Sequence, residues 1–520
     1  MVSRSVRLVL ALLLLAVALT ACQPPTAPPP EPAASPTEPA ATTPEPAASP
    51  TEPATATPEQ EAVAEPDTAP VLIVSDRSFT LAELQALDQV TTDDGSQGVG
   101  LLALLEAAGL DSEVVILTAS DGYSANVPVA DVDEAAALVY TEDGKLNAVI
   151  PTLPRNASVK DVIEIRVAEP IAEVEPKTVP EVAPLAEPLE IVDAAGRSIT
   201  LTELPQRIMV VGRGPHMSLH ILYMFDEGRQ RLVGAESRAA TPSDFLPVVD
   251  PAFSEIPTLA ANPNVEQIAA MAPDLVIMKS VTEDATASGL AVLGIPVLYV
   301  DLETMDAFFE DLANIGAVLG NQARADEIAA FYRSRLESID ATLAEVKDAD
   351  KPSVLLVSYS ERGGEIAVQV PAAAWMQTAQ IQRAGGDPIW LSAAAPTDGW
   401  TITNIEQIAQ WNADKIFVVV HFRLDPQEII DQLKADANWS ALKAVQSGQL
   451  YAFPQDIFGW DQPEPRWILG VQWLATRIHP DLFADVDMDA EVRAWFGDLY
   501  GMDAAAIEQD IIPRVVMDVQ

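Results

Sequence analysis

The chain has 520 residues, 49% of them hydrophobic, and this length exceeds what a single hydrophobic core usually holds, so we expect roughly two to four folded units. Its 77 acidic residues against 30 basic ones give a formal net charge of −47. A nucleic-acid partner is therefore excluded, because phosphate binding needs a basic surface.

The first 22 residues are predicted to direct export. Arg4 and Arg7 precede an apolar run at residues 8–19, which is too short for a comfortable membrane span. The run ends in LTAC, which resembles a bacterial lipobox, and Cys22 is the only cysteine of the chain. The resemblance implies cleavage before Cys22 and lipidation of its thiol, which would anchor the protein at the outer face of the cytoplasmic membrane. The alternative is an ordinary signal peptide with an incidental cysteine.

Residues 23–70 are predicted to be a disordered tether. They are rich in Pro, Glu, Ala and Thr, and a 14-residue phrase at 31–44 is nearly repeated at 45–58. Such a composition cannot bury a core and favours extended conformations.

Residues 71–168 are predicted to form a small separate α+β module. We expect strands at 71–74 and 114–118 and short helices at 81–87 and 99–108. The segment ASDGYSANVP, which starts at Ala119, resembles part of the sulfite-oxidase-type molybdopterin-binding fold. Catalytic members of that family hold molybdenum through a cysteine, which this module lacks. The resemblance therefore implies an accessory binding or spacing module, and the Pro-rich residues 169–188 are interpreted as a second linker.

The main body, from residue 189 onward, is predicted to consist of parallel α/β units. A hairpin is expected at 189–201, followed by strands that alternate with helical patterns. The expected strands are residues 208–212, 275–278, 297–300, 354–357, 416–420 and 450–453.

One phrase occurs twice in this body. NVEQIA at 264–269 precedes a strand at 274–278, and NIEQIA at 404–409 precedes a strand at 414–418. Each copy is predicted to form a short helix, a turn and a buried strand. Two lobes of similar design are therefore expected, with Glu266 and Glu406 at corresponding positions.

A long helix is predicted between the two copies, at residues 321–347. Its apolar residues recur every three to four positions, Gly320 can end the preceding helix, and Asn321 can cap this one. We interpret residues 189–320 and 348–520 as the two lobes and the helix as the connection that joins them.

This order of elements resembles the class III, helical-backbone substrate-binding proteins of ABC importers. Besides the repeated phrase, the motifs that carry the resemblance are IVDAAGR from Ile191, LPQRIMVV from Leu204, LVGA from Leu232 and GIPV from Gly294. The resemblance implies an α/β fold with two Rossmann-like lobes joined by one long helix. It also implies a receptor that delivers its ligand to a permease and its ATPase, with Glu266 and Glu406 contacting basic residues of the permease.

The ligand is expected between the lobes, at loops that follow the carboxyl ends of strands. Basic and aromatic side chains at these loops predict a site for an anionic ligand with aromatic walls, although surface salt bridges are the alternative for each basic residue. The candidate residues are Arg213, His216, Lys279, Tyr359, Arg362, Trp400, His421, Trp460 and Arg466.

Metal coordination by the protein and catalysis are not expected. His216 and His220 have the spacing of a metal pair, but the chain has only four histidines, and His220 fits buried packing. The sequence has no P-loop, nucleophile elbow or HExxH motif. We predict a monomeric binding protein without a cofactor, not an enzyme.

The function predicted from the sequence is therefore capture of an iron complex, such as a siderophore, haem or a cobalamin-like chelate, for an ABC importer. An alternative is a molybdate or tungstate receptor of the same fold. An alternative of another class is a surface sensor or adhesin that does not take part in transport.

Overall fold

The computed structural model describes residues 70–520, apart from 93–94, 111, 113, 121–123, 142, 153–158, 168–183, 238–244, 280–284, 363–364, 397–398 and 421–423, and apart from the side chains of 361–366. The predicted signal peptide and tether, most of the second linker, Cys22 and His421 lie outside the described residues. All described residues fall within one compact unit, Glu65–Gln520.

The amino-terminal module contains two antiparallel or mixed sheets and two short helices. Its elements are β1 (Pro70–Val74), β2 (Arg77–Thr80), α1 (Leu81–Gln85), β3 (Gln89–Thr91), β4 (Gln97–Gly100), α2 (Leu101–Ala108), β5 (Val114–Ala119), β6 (Ser124–Pro128), β7 (Ala137–Tyr140), β8 (Leu146–Val149) and β9 (Val162–Val167). The strand orders are β2-β1-β9-β5-β6 and β3-β4-β7-β8. Apolar side chains of both sheets and both helices form one core.

The helix expected at 99–108 starts two residues later than predicted. Val99 and Gly100 belong to β4, which pairs with β7. A Cβ at Gly98 would lie 2.2 Å from the carbonyl oxygen of Leu138, so only glycine allows the two backbones to approach this closely. Pairing with β7 therefore extends the strand into the predicted helix.

The first lobe is a parallel α/β sheet, preceded by the predicted hairpin. Its elements are β10 (Leu189–Val192), β11 (Ser198–Leu201), β12 (Ile208–Val210), α3 (Pro215–Leu222), α4 (Asp226–Arg231), β13 (Leu232–Glu236), α5 (Phe245–Val249), β14 (Thr258–Leu259), α6 (Val265–Ala270), β15 (Leu275–Lys279), α7 (Ala285–Val292), β16 (Val297–Val300) and α8 (Met305–Leu319). The strand order is β14-β13-β12-β15-β16, and every pair is parallel. Every residue of β12, β13, β15 and β16 is buried, as expected for a sheet covered on both faces.

Helix α9, Gln322–Leu343, joins the two lobes. It follows α8, which ends at Gly320 in the left-handed region, with φ at 71°. The side chain of Asn321 accepts a hydrogen bond from the backbone N–H of Arg324, so both predicted caps are confirmed. With 22 residues the helix is about 33 Å long. It packs against α8 and against α14 (Trp467–Ile478) of the second lobe.

The second lobe has a mixed sheet. The elements before α14 are β17 (Ser353–Arg362), β18 (Glu365–Val370), α10 (Met376–Arg383), β19 (Asp387–Pro388), β20 (Thr401–Thr403), α11 (Ile405–Trp411), β21 (Lys415–Val420), α12 (Pro426–Ala435), α13 (Lys443–Gln446) and β22 (Leu450–Ala452), and those after it are α15 (Met488–Ala494), a π-helical turn (Trp495–Leu499) and α16 (Ala504–Ala506). The strand order is β20-β18-β17-β21-β22, with β19 also paired to β17.

The prediction of purely parallel pairing was wrong for part of this sheet. β17 pairs parallel with β21 and antiparallel with β18, which itself pairs antiparallel with β20. β17 is ten residues long and continues past the predicted end at Val357. It is separated from β18 by Gly363 and Gly364, a residue pair typical of two-residue hairpin turns. Tyr359, which was expected in a loop, therefore lies inside a strand opposite Val368.

The main core is continuous across both lobes. Buried apolar residues of α8, α9 and α14 belong to the same cluster as the inner residues of both sheets. The fold is thus the predicted two-lobed α/β architecture, with a helical connection that is itself part of the core.

Candidate functional site

The two copies of the repeated phrase adopt the same local structure. Asn264 caps α6 by accepting a hydrogen bond from the N–H of Gln267 at 2.8 Å, and Asn404 caps α11 by accepting one from the N–H of Gln407 at 2.9 Å. Glu266 and Glu406 are therefore the second residues of corresponding helices, and both are exposed. A carboxylate at this place is favoured by the helix dipole and is also free to meet a cationic partner.

The aspartate that opens each strand of the repeat has a role that the sequence analysis did not assign. Asp274 accepts backbone hydrogen bonds from Gln206 and Arg207, both at 2.8 Å. In the second copy, Asp414 accepts one from Ser353 at 2.9 Å. Each aspartate thus fixes the chain that enters the neighbouring central strand, so the two lobes share this attachment as well as the capped helix.

The lobes meet at two histidines of α3. The ring of His216 stacks on Phe458 of the second lobe, with centroids 5.3 Å apart and planes 9° from parallel. One turn later, Nδ1 of His220 lies 3.1 Å from Oε2 of Glu464. Both histidines are buried. The predicted ligand loops of the two lobes are therefore in direct contact.

Arg466 lies at the centre of this contact and is completely buried. Its Nε donates to both carboxylate oxygens of Asp456, at 2.8 and 3.0 Å, and its Nη1 donates to Glu464 at 2.8 Å. Its guanidinium also lies 4.2 Å from the ring centroid of Phe245 in the first lobe. Within the described part of the chain, Nη2 has no hydrogen-bond partner.

The charges in this cluster determine each other's protonation. Burial opposes ionisation of Glu464, but the positive charge of Arg466 and the hydrogen bond from His220 outweigh it and hold the pKa of Glu464 below its ordinary value. Burial also opposes the charge on Arg466, yet Asp456 and Glu464 outweigh it and raise the pKa of the guanidinium. An ionised Glu464 can only accept hydrogen bonds, so Nδ1 of His220 must carry a proton.

Lys279 has a partner within its own lobe. It stands at the carboxyl end of β15, is 2% exposed and forms an ion pair with Glu303. Its Nζ also lies 3.5 Å from the sulfur of Met217 on α3. Lys279 and Arg466 thus form salt bridges, the alternative raised from the sequence; those of Arg466 are fully buried, and Glu303 in the pair with Lys279 is half-buried.

Of the remaining predicted site residues, Trp460 belongs to this cluster. Arg213 is exposed in the loop before α3, and Tyr359 is buried inside β17. Trp400 is half-buried and lies edge-on to Trp375, with centroids 5.8 Å apart. Trp460 is completely buried and donates a hydrogen bond from its indole N–H to Asp456 at 2.9 Å. Side-chain placement of Arg362 and of His421 lies outside the described residues.

Several residues of the contact were missed by the sequence analysis. Phe245 packs edge-on against His220, with centroids 4.7 Å apart, and the hydroxyl of Tyr500 donates to the carbonyl of His220 at 3.0 Å. Trp460 and Arg466 were predicted as site residues, but Asp456, which binds both, was not. No local pattern marks Phe245 or Tyr500, because their partners are distant in the sequence.

Other features of the described residues constrain the function. They contain no group of three or more His, Cys, Asp or Glu side chains arranged to hold a metal ion. Within the same residues, no helix has the length and apolar character needed to cross a membrane. Two surface cavities, of about 270 and 230 Å³, are lined by other residues than those predicted for the ligand site.

Comparison with known proteins gives relatives along most of the main body. A curated relative is the molybdate-binding protein MolA of Haemophilus influenzae, 21% identical over 332 residues, which are 60% of this chain and 90% of that protein. An uncharacterized ABC transporter substrate-binding lipoprotein of Bacillus subtilis, YvrC, is 25% identical over 303 residues, which are 57% of this chain and 88% of that protein. The iron-uptake system-binding protein of B. subtilis is 24% identical over 193 residues, which are 36% of this chain and 57% of that protein.

Solved structures share the fold. A periplasmic solute binding protein of Veillonella parvula has a TM-score of 0.51 and 21% identity, over 62% of this chain and 97% of that one. An ABC transporter solute binding protein of Sulfurospirillum deleyianum has a TM-score of 0.50 and 22% identity, over 61% of this chain and 98% of that one.

Residues 258–457 match the family described as "Periplasmic binding protein". The chain is thus similar to periplasmic binding proteins over residues 258–457.

Proposed function

We propose that the protein is the lipid-anchored, extracytoplasmic receptor of an ABC importer and that its ligand is a small oxyanion of the molybdate or tungstate class. The observation that carries the choice of ligand is the direct contact of the lobes, with His216 stacked on Phe458 and His220 bonded to Glu464. A relative that covers most of the main body is named as a molybdate-binding protein, which supports the same choice.

The size of the ligand follows from this contact. A haem or ferric siderophore would have to part His216 from Phe458 and break the bond between His220 and Glu464. One face of α9 packs into a core shared by both lobes, which favours small movements over wide opening. A tetrahedral oxyanion needs only a few N–H donors, and imidazole and guanidinium groups supply such donors.

Charge balance predicts how the oxyanion would bind. Arg466 carries one positive charge, whereas Asp456 and Glu464 carry two negative charges, so this cluster by itself does not attract an anion. An oxyanion would therefore depend on N–H donors of the histidine rings as well as on Arg466.

The test is calorimetry and thermal denaturation of the full chain, in detergent, with molybdate, tungstate, sulfate, a ferric siderophore, haem and cobalamin. Molybdate or tungstate at about 100 times its dissociation constant should raise the free energy of unfolding by roughly 2.7 kcal/mol. His216→Gln should weaken this binding, whereas Arg493→Gln, in an exposed ion pair with Glu508, should not. A response to a bulky chelate alone would favour the iron-complex receptor instead.

Docking to the permease is proposed to use Glu266 and Glu406. Their support is the shared position at the start of α6 and α11 and their exposure. Replacing both by Lys should abolish stimulation of the transporter's ATPase and leave ligand affinity unchanged. Normal stimulation by this double variant would contradict the docking role.

A further inference from the structure

The amino-terminal module is joined to the first lobe by backbone pairing. Edge strand β6 runs parallel to the segment after β14, with Ala125 opposite Ala261. The N–H of Asn126 donates to the carbonyl of Ala261 at 2.8 Å, and the N–H of Ala261 donates to the carbonyl of Ser124 at 3.1 Å. The side chain of Ala261 also belongs to the module's apolar core. The module, predicted as a separate unit, is therefore in specific contact with the lobe.

A buried carboxamide secures this junction. Asn126 is 2% exposed, and its Nδ2 donates to the carbonyls of Ala260 and Ala261 at 3.1 and 3.2 Å. Its Oδ1 accepts a hydrogen bond from Nε2 of Gln267 at 3.5 Å. A buried amide with donor and acceptor both used fixes the relative position of the groups it joins.

The junction reaches the helix that carries Glu266. Gln267 is the third residue of α6, and its Oε1 accepts the N–H of Asn264 at 3.0 Å, while Asn264 caps the helix in return. The side chain of Gln267 therefore bonds both to Asn126 of the module and to Asn264, the residue that caps α6 next to Glu266.

We propose that the module is a fixed part of the permease-docking face of the first lobe, with Asn126 as a positioning residue for the amino terminus of α6. The partner is the permease, whose basic residues would meet Glu266. This inference rests on the docking role proposed above for Glu266 and Glu406.

The test compares Asn126→Ala with Asn147→Ala in the full-length lipoprotein and its transporter reconstituted in nanodiscs. Asn147 uses its side chain within the module, where its Oδ1 accepts the N–H of Asp161, so it is a matched control away from the lobe. Asn126→Ala should raise the concentration for half-maximal ATPase stimulation by roughly fivefold, a typical effect of a residue that acts through another. Molybdate affinity should stay unchanged in both variants, and Asn147→Ala should stimulate like the unmodified protein.

Hydrogen exchange provides a second measurement that does not depend on transport. Amides of α6 should exchange faster in Asn126→Ala and not in Asn147→Ala. Gln267→Ala should reproduce the ATPase defect, and the double variant with Asn126→Ala should be no worse than either single variant.

The outcomes separate the two proposals. Normal stimulation by the Glu266→Lys, Glu406→Lys protein would remove the docking role and this inference with it. If that protein fails to stimulate while Asn126→Ala stimulates normally and exchanges normally at α6, docking stands and the positioning role of the module is overturned.

Discussion

Buried charge is the dominant feature at the scale of single residues. Arg466 is completely buried between Asp456 and Glu464, which are also shielded from solvent. Such a group is stable only while its partners remain, because an unpaired charge in the interior has lost its hydration without compensation. Asp311 is a second buried carboxyl group, 2% exposed.

Arg466→Met should destabilise the protein by about 3–5 kcal/mol, because it leaves two buried carboxylates without their cation. The free energy of unfolding, measured by urea denaturation, checks this. Arg493→Met removes an exposed guanidinium and should change the midpoint little. Equal, small effects of both variants would show that Arg466 does not hold the cluster together.

Asp311 makes stability depend on pH. Burial raises its pKa to about 7, although its carboxylate accepts backbone hydrogen bonds from Asp301 and Leu302. The unfolded chain releases this proton near pH 4, so stability falls as pH rises from about 4 to about 7, by up to roughly 4 kcal/mol.

Asp311→Asn keeps an oxygen acceptor and removes the titration. Its stability relative to the unmodified protein should therefore increase between pH 4 and pH 8, as measured by denaturation at several pH values. A difference that is constant across this range would mean that Asp311 ionises normally.

At the scale of elements, the boundary between α8 and α9 determines how the connecting helix begins. Gly320 has φ at 71°, and a Cβ there would lie 2.4 Å from Cδ1 of Leu204. Gly196, in the turn between β10 and β11, has φ at 73° but open space around its Cβ position. A side chain at Gly196 would therefore cause backbone strain alone, whereas a side chain at Gly320 would also clash with Leu204.

Gly196→Ala should cost about 1–2 kcal/mol, the usual strain of a left-handed residue with a side chain. Gly320→Ala should cost more, because Leu204 must also move. The comparison is made by thermal or urea denaturation of both variants. A smaller loss for Gly320→Ala would show that Leu204 adjusts freely.

At the scale of the whole molecule, the proposed lipid on Cys22 decides where the receptor acts. The LTAC sequence supports it. Cys22→Ser should release the protein from the membrane fraction into the soluble extracytoplasmic fraction, because a single apolar run of this length is cleaved rather than retained. Fractionation and palmitate labelling check this. Membrane retention of the unlabelled variant would exclude lipidation as the anchor.

The sequence alone determined the two-lobed plan and much of its local structure. The repeated phrase contains its own cap, helix and strand, so the positions of Glu266 and Glu406 follow from interactions over a few residues. The strands of the first lobe and the caps at Gly320 and Asn321 follow for the same reason, since apolar periodicity and capping are local. Arg466 was found because a basic side chain at a predicted loop is unusual within so acidic a chain.

Only the tertiary structure decided which of these residues meet. His220 and Glu464 are 244 positions apart, and Asn126 and Ala260 are 134 apart. The sequence around either residue does not tell which distant residue it contacts. For this reason Arg466, which was expected to bind a ligand, could not be recognised as the partner of Asp456 and Glu464. Two strand pairings also depend on the packing of distant segments. One is the antiparallel pairing of β17 with β18, and the other is the pairing of edge strand β6 with Ala261. Helices and strands follow from capping and apolar periodicity, which involve residues close in the sequence. Contacts between them follow from the burial of side chains that are far apart in the sequence.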